Sequence, residues 1–161
     1  MQKRYSLSKA IVLNTTGERY DAVAVQVNAA EIRKHEHQFE YFDFTDSIKD
    51  GYRVYKICKA GDENILQGMV ALKVSTGFLE CANMEVNDFN KRPICLYSNV
   101  GKCMVALCCK ISHDEGFGGY IAFFAKNHLF GYYLRLGAER VYGLRMAIDG
   151  LAAQKLIDLY F

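Results

Sequence analysis

The chain has 161 residues, 51% of them apolar, with 10 Phe, 11 Tyr and no Trp. That is enough to bury a core in one domain and too apolar for a disordered segment. The net charge of +2 is too small to point to nucleic acid, and no run approaches the roughly 20 apolar residues of a membrane span.

The opening MQKRYSLSKAIVLN holds only the apolar run Ala10 to Leu13, which is too short for a secretory leader. Tyr20 to Val27 alternates and predicts a strand. Asn28, with Glu31 three residues on, has capping-box spacing for a helix from about Ala29 to Phe39. Tyr52 to Lys59 alternates again. Gly61 to Asn64 is a turn, Ile65 to Val74 a strand, Ser75 to Gly77 a turn, and Phe78 to Val86 a strand. Three strands joined by short polar turns predict an antiparallel meander.

Asn87 to Ser98 reads as a loop holding Lys91, Arg92 and Pro93. Val100 to Ser112 has helical spacing, with Val100, Met104, Leu107, Cys108 and Ile111 on one face. His113 to Gly119 is a polar, Gly-rich loop. Tyr120 to Ala125 is apolar on both faces, as buried parallel strands are. Asn127 to Leu136 predicts a helix stopped by Gly137 in the left-handed region. Val141 to Ile148 predicts a strand, and Leu151 to Tyr160 a helix. The whole is expected to be one domain, residues 1–161: a mixed α/β sandwich in which an antiparallel meander leads into βαβα, with helices on both faces of the sheet.

The six cysteines include no CxxC pair. Cys103 and Cys108 fall in a predicted helix and Cys108 adjoins Cys109, so reduced thiols in a cytoplasmic protein are expected. His35 and His37 are two apart on a helix and face different ways, which excludes chelation by that pair. His113-Asp114-Glu115 reads as a polar loop and His128 as a helix-start residue, so no metal is expected. No nucleophile elbow or Ser/His/Asp order is present.

Three features then fall in order. Ser98-Asn99-Val100-Gly101-Lys102 is a turn opening a helix, where unpaired amides and the positive dipole end suit a phosphate. The strand FLECANMEV, ending Met84-Glu85-Val86, precedes it. Tyr132-Tyr133-Leu134-Arg135-Leu136-Gly137-Ala138 ends the next helix. Together they resemble the acetyl-coenzyme A site of the GNAT superfamily of N-acetyltransferases, over roughly Ile65 to Ile148. In that family an Arg or Gln, two residues, Gly, one residue, then Gly or Ala opens the longest helix. Here Gly101 takes the last position, Asn99 the first glycine and Leu96 the Arg/Gln.

The resemblance implies acetyl-coenzyme A as co-substrate. It would be held by Met84 and Val86 of the strand, by Ser98, Asn99, Val100, Gly101 and Lys102 of the turn, and by Lys126, where the family commonly has Asn. Charge for the phosphates would come from Lys102, or from Lys91 and Arg92. Tyr133 takes the position that protonates the departing thiolate, which suits a phenol whose ordinary pKa is ~10. Glu85 or Glu80 would accept the amine proton. The two fall on opposite faces by period 2 unless a bulge intervenes.

The implied reaction is direct attack by a primary amine on the thioester in a ternary complex. The acceptor is a small molecule or peptide, with polyamine, aminoglycoside, peptide N-terminus and protein lysine all open. By family analogy Ala29 to Asp50 lines its side. No nucleic-acid or membrane partner is expected, and a homodimer stays open. The alternative is an inactive GNAT-fold binding or protein-interaction module, favoured by Leu96, Asn99 and Lys126. The C-terminal helix replaces the family's last strands.

Overall fold

The computed structural model describes residues 3–161. In chain order the first half holds β1 (Arg4–Leu13), β2 (Arg19–Val27), α1 (Ala29–His35), α2 (Phe44–Lys49), β3 (Arg53–Lys59), β4 (Leu66–Val74) and β5 (Leu79–Val86). The second half holds β6 (Tyr97–Ser98), α3 (Val100–Asp114), β7 (Ile121–Phe124), α4 (Phe130–Arg135), β8 (Glu139–Tyr142), β9 (Arg145–Ile148) and α5 (Gly150–Tyr160). The strands form one sheet in the order β6-β1-β2-β3-β4-β5-β7-β9-β8. The β3–β4–β5 meander is antiparallel, as expected, and β5 joins β7 in parallel through α3.

Helices cover both faces. On one face α1 and α2 lie over Val23, Val27, Val54 and Met69. On the other, α3 and α5 close the larger core over Leu7, Tyr55, Val70 and Leu72. The expected stripe of α3 is buried, but so are Cys103, Val105, Ala106, Cys109 and Ser112. The helix is enclosed on more than its sheet side because α5 packs against it. All six cysteines are free, and only Cys95 is not fully buried.

Several expectations are corrected. The opening segment is β1, a full strand. Its alternation breaks between Leu7 and Ile11, where the pairing register with β2 shifts, and Lys9 there has φ 47. A bulge of this kind erases the period that marks a strand. The segment between β5 and α3 contains a 3-10 turn (Asp88–Asn90) and β6, rather than loop throughout. The single strand expected over Val141–Ile148 is the hairpin β8–β9, turning at Gly143-Leu144, with β9 antiparallel to β7. The predicted helix Asn127–Leu136 is a 3-10 turn (Asn127–Leu129) followed by α4.

Local signals held where they were short-range. Asn28 caps α1 by accepting the Glu31 amide at 3.0 Å, though the Glu31 carboxylate goes to Lys56 Nζ at 2.5 Å instead of closing the box. Gly137 follows α4 at φ +102, where a Cβ would also stand 2.8 Å from that of Ala152.

Gly68 lets α3 approach the sheet. A Cβ there would lie 3.0 Å from Met104 Sδ, 3.1 Å from Val100 Cγ1 and 3.2 Å from the Glu85 carbonyl. Gly68→Val is expected to cost about 1–3 kcal/mol by overpacking, read as a lower urea midpoint. An unchanged midpoint would contradict this packing.

Candidate active site

The site begins with a defect in β5. Opposite β4, Leu72 pairs with Cys81 but Ala71 pairs with Asn83, so Ala82 is an extra residue. Such a bulge bends its strand and ends regular pairing. On its other side β5 pairs with β7 only at Leu79–Ile121 and Glu80–Ala122. Beyond that point the strands part, leaving the backbone from Ala82 to Val86 without a strand on that edge. The gap is a cleft of about 940 Å³, at the upper end of ordinary ligand sites.

Three walls enclose it. Met84, Glu85 and Val86 come from β5, Gly101, Met104 and Val105 from α3, and Phe123, Lys126, Tyr132 and Tyr133 from β7 and the segment after it. Glu40, Tyr41 and Phe42, from the connection between α1 and α2, close the remaining side, within the segment expected to line the acceptor.

The start of α3 faces this space. Asn99 precedes it at φ 72, in the left-handed region, and no side chain caps the helix. The first-turn amides of an uncapped helix are available to an anion. A Cβ on Gly101 would stand 3.2 Å from the Tyr132 hydroxyl, closer than an ordinary contact, so the phenol lies directly against the start of α3. Lys91 and Arg92 line the cleft as well. An uncapped helix start beside an unpaired strand edge can receive an extended ligand that carries an anionic group.

The two phenols differ in setting. Tyr133 packs its ring on Phe123 at 4.7 Å, and Tyr132 meets Tyr133 edge-on at 5.3 Å. Neither hydroxyl makes a hydrogen bond among the described residues. Burial pushes the pKa of Tyr133 up, and that of Tyr132 up to about 12. Both therefore hold their protons at neutral pH.

The bulge also decides the carboxylates. Glu80 pairs with Lys73 and Glu85 with Met69, four residues apart on β4, so both point to the α1–α2 face. Glu80 lies outside the cleft. It accepts from Arg145 Nη1 at 2.6 Å, and that guanidinium stacks on Phe124 and Phe78 at 4.7 and 5.8 Å. Glu85 is in the cleft but only 5% exposed. Its oxygens accept the Tyr41 amide at 3.1 Å and the Phe42 amide at 2.9 Å, and pair with Lys91. Lys91 also bonds Asp88 at 2.7 Å. From across the cleft, the Lys126 ammonium sits 4.3 Å from the Tyr41 ring and 5.2 Å from that of Phe42.

Of the residues expected from sequence, Met84, Glu85, Val86, Gly101, Lys126 and Tyr133 gather in this cleft. Ser98, Asn99, Val100, Lys102 and Glu80 do not line it. Val100 is core, Ser98 belongs to β6, and the Asn99 amide is turned to Ala10 and Tyr160. Tyr41, Phe42 and Tyr132 went unmarked as individual site residues. The first two sit in an aromatic-rich connection, Phe39 to Phe44, where core and site aromatics look alike in sequence, and the third was hidden by its neighbour. Among the described residues no three His, Cys, Asp or Glu side chains gather closely enough to hold a metal ion, and no described helix is long and apolar enough to cross a membrane.

No family model and no curated protein sequence matches the chain. Solved structures do. The IAA acetyltransferase of Bacillus cereus superposes with a TM-score of 0.60 at 11% identity, over 80% of this chain and 99% of that one. The AtaTR complex bound with acetyl-coenzyme A gives 0.59 at 12% identity, over 83% and 97%. The PaiA N-acetyltransferase of Thermoplasma acidophilum, in complex with coenzyme A, gives 0.50 at 14% identity, over 66% and 69%. At these identities the likeness is one of fold.

Proposed function

Since this chain has the fold of the GNAT N-acetyltransferases, we propose that it transfers an acetyl group from acetyl-coenzyme A to a primary amine. The observation that carries the reading is the cleft itself. The bulge at Ala82 opens β5 from β7, an uncapped helix start faces one wall, and two protonated phenols stand on another. Among the similar structures, PaiA is in complex with coenzyme A and AtaTR is bound with acetyl-coenzyme A.

The first-turn amides of α3, with Arg92 lining the same cleft, hold the phosphates. The unpaired edge of β5 at Met84 to Val86 orients the thioester arm and supplies amide dipoles toward the carbonyl oxygen. Catalysis is mostly positioning. The amine nitrogen bonds to the acetyl carbon, the carbon–sulfur bond breaks, and Tyr133 gives its proton to the thiolate. Tyr133 is reprotonated from solvent through the open cleft.

Glu85 acts as a positioning residue. Its carboxylate already serves two amides and an ammonium, and so holds the Tyr41–Phe42 segment over the acceptor side. The amine proton leaves to water at the cleft mouth. Glu80, outside the cleft and paired with Arg145, takes no part.

Two observations favour a second reading, an inactive module of the same fold. Leu96 offers no donor, and the Asn99 amide is turned away from the cleft. Thermal unfolding decides between them. Acetyl-coenzyme A at 100 times its Kd is expected to add ~2.7 kcal/mol, or about 5–10 °C in Tm at this chain length. Adenosine diphosphate serves as control. No shift at millimolar acetyl-coenzyme A would overturn the enzyme reading.

A further inference from the structure

We infer that Tyr160, in the last turn of α5, is a positioning residue for the co-substrate. It fixes the turn that opens α3 through a hydrogen bond to Asn99. This rests on the reading of the cleft given above.

Asn99 is the last residue before α3 and sits at φ 72. Asn enters that region more readily than other residues with a Cβ, and here its side chain is held as well. Its side chain makes no cap to its own helix. Instead both amide hydrogens are used elsewhere. Nδ2 donates to the Ala10 carbonyl at 2.7 Å and to the Tyr160 hydroxyl at 2.8 Å. Ala10 lies in the irregular stretch of β1 between Leu7 and Ile11, and its carbonyl also accepts the Cys103 thiol at 3.4 Å. Three segments distant in sequence therefore meet on one amide.

Tyr160 is 6% exposed, and its hydroxyl meets Asn99 and the Cys103 thiol, both at the start of α3. Ala153, Leu156 and Ile157 of the same helix pack in the core with α3. The direction in which α3 presents its first amides is thus set partly by the far end of the chain. Asn at this position is explained by the tether. A glycine would adopt the same φ freely but could not reach Ala10 and Tyr160.

The test is Tyr160→Phe, which keeps the ring and removes the hydroxyl. Amide hydrogen exchange in the ligand-free protein is expected to speed up at Cys103, whose amide donates to the Asn99 carbonyl at 3.1 Å, more than elsewhere in α3. The Kd for acetyl-coenzyme A is expected to rise about three- to tenfold, the size of one hydrogen bond, with the KM for the amine unchanged. In an Asn99→Gly background Tyr160→Phe should have no further effect on Kd, because the bond is already gone.

Additive effects in that cycle, or exchange that rises evenly along α3 with Kd unmoved, would overturn the tether and leave Tyr160 as core packing. If the unaltered protein fails to bind acetyl-coenzyme A, the enzyme reading fails. The exchange arm, measured without ligand, still decides the tether.

Discussion

Tyr133→Phe is expected to lower kcat by about 10²–10⁴-fold, the usual worth of a positioned general acid, with the Kd for acetyl-coenzyme A nearly unchanged. The substitution removes only the hydroxyl. The ring keeps its contact with Phe123 at 4.7 Å, and no hydrogen bond within the protein is lost. The loss therefore falls on the step in which the thiolate leaves. Burial raises this phenol's pKa, so the group stays protonated through neutral pH. The fall in kcat on the alkaline side then lies above the ordinary phenol value of about 10.

Tyr132→Phe is the informative comparison. Its hydroxyl lies beside Gly101 at the start of α3, so its removal should act on co-substrate affinity. Full kcat in Tyr133→Phe with a large loss in Tyr132→Phe would move the acid to Tyr132.

Glu85→Ala is expected to cost about 3 kcal/mol, the lower end for breaking a buried ion pair from one side. That is a fall of about 6–12 °C in Tm at this chain length. The value belongs at the lower end because Lys91 retains Asp88 at 2.7 Å. The Tyr41 and Phe42 amides lose their acceptor, and the segment they belong to loses its anchor on β5. The KM for the amine should rise while acetyl-coenzyme A affinity holds. Glu85→Gln keeps one oxygen acceptor and should fall between wild type and alanine in Tm, with kcat within a few fold. If Glu85→Gln leaves Tm unchanged and abolishes turnover, the carboxylate is a base and the anchoring role is wrong.

Both expectations depend on features of unequal legibility. Tyr133 could be picked out from sequence because its cue is local, a short aromatic helix ended by Gly137. The same holds for Asn28 as a cap, for the alternating strands β2 and β3, for the turn-bounded strands β4 and β5, and for the helical spacing of α3 and α5. Each is written in residues within one or two turns of each other, where φ/ψ preference and the side-chain period act directly.

Glu85 illustrates the opposite case. Its face is set by one bulged residue, Ala82, and its partners, Tyr41 and Phe42, are more than 40 residues away. No period in the chain records either. β1 escaped notice for the same reason, since the bulge between Leu7 and Ile11 breaks its alternation. The β8–β9 hairpin escaped because β8 begins in the charged pair Glu139-Arg140 and a single residue, Gly143, marks the turn.

The sequence by itself determined the mixed α/β class, most of the regular elements, and the order of the parts that face the cleft. Tertiary structure alone decided that β5 leaves β7 after two pairs, that Glu85 accepts the Tyr41 and Phe42 amides, that Glu80 pairs with Arg145, and that Tyr160 meets Asn99. The division is physical. Local preferences act through the backbone of neighbouring residues, whereas a splayed strand, a buried ion pair and a strained turn exist only once distant segments supply the hydrogen bonds that make them stable.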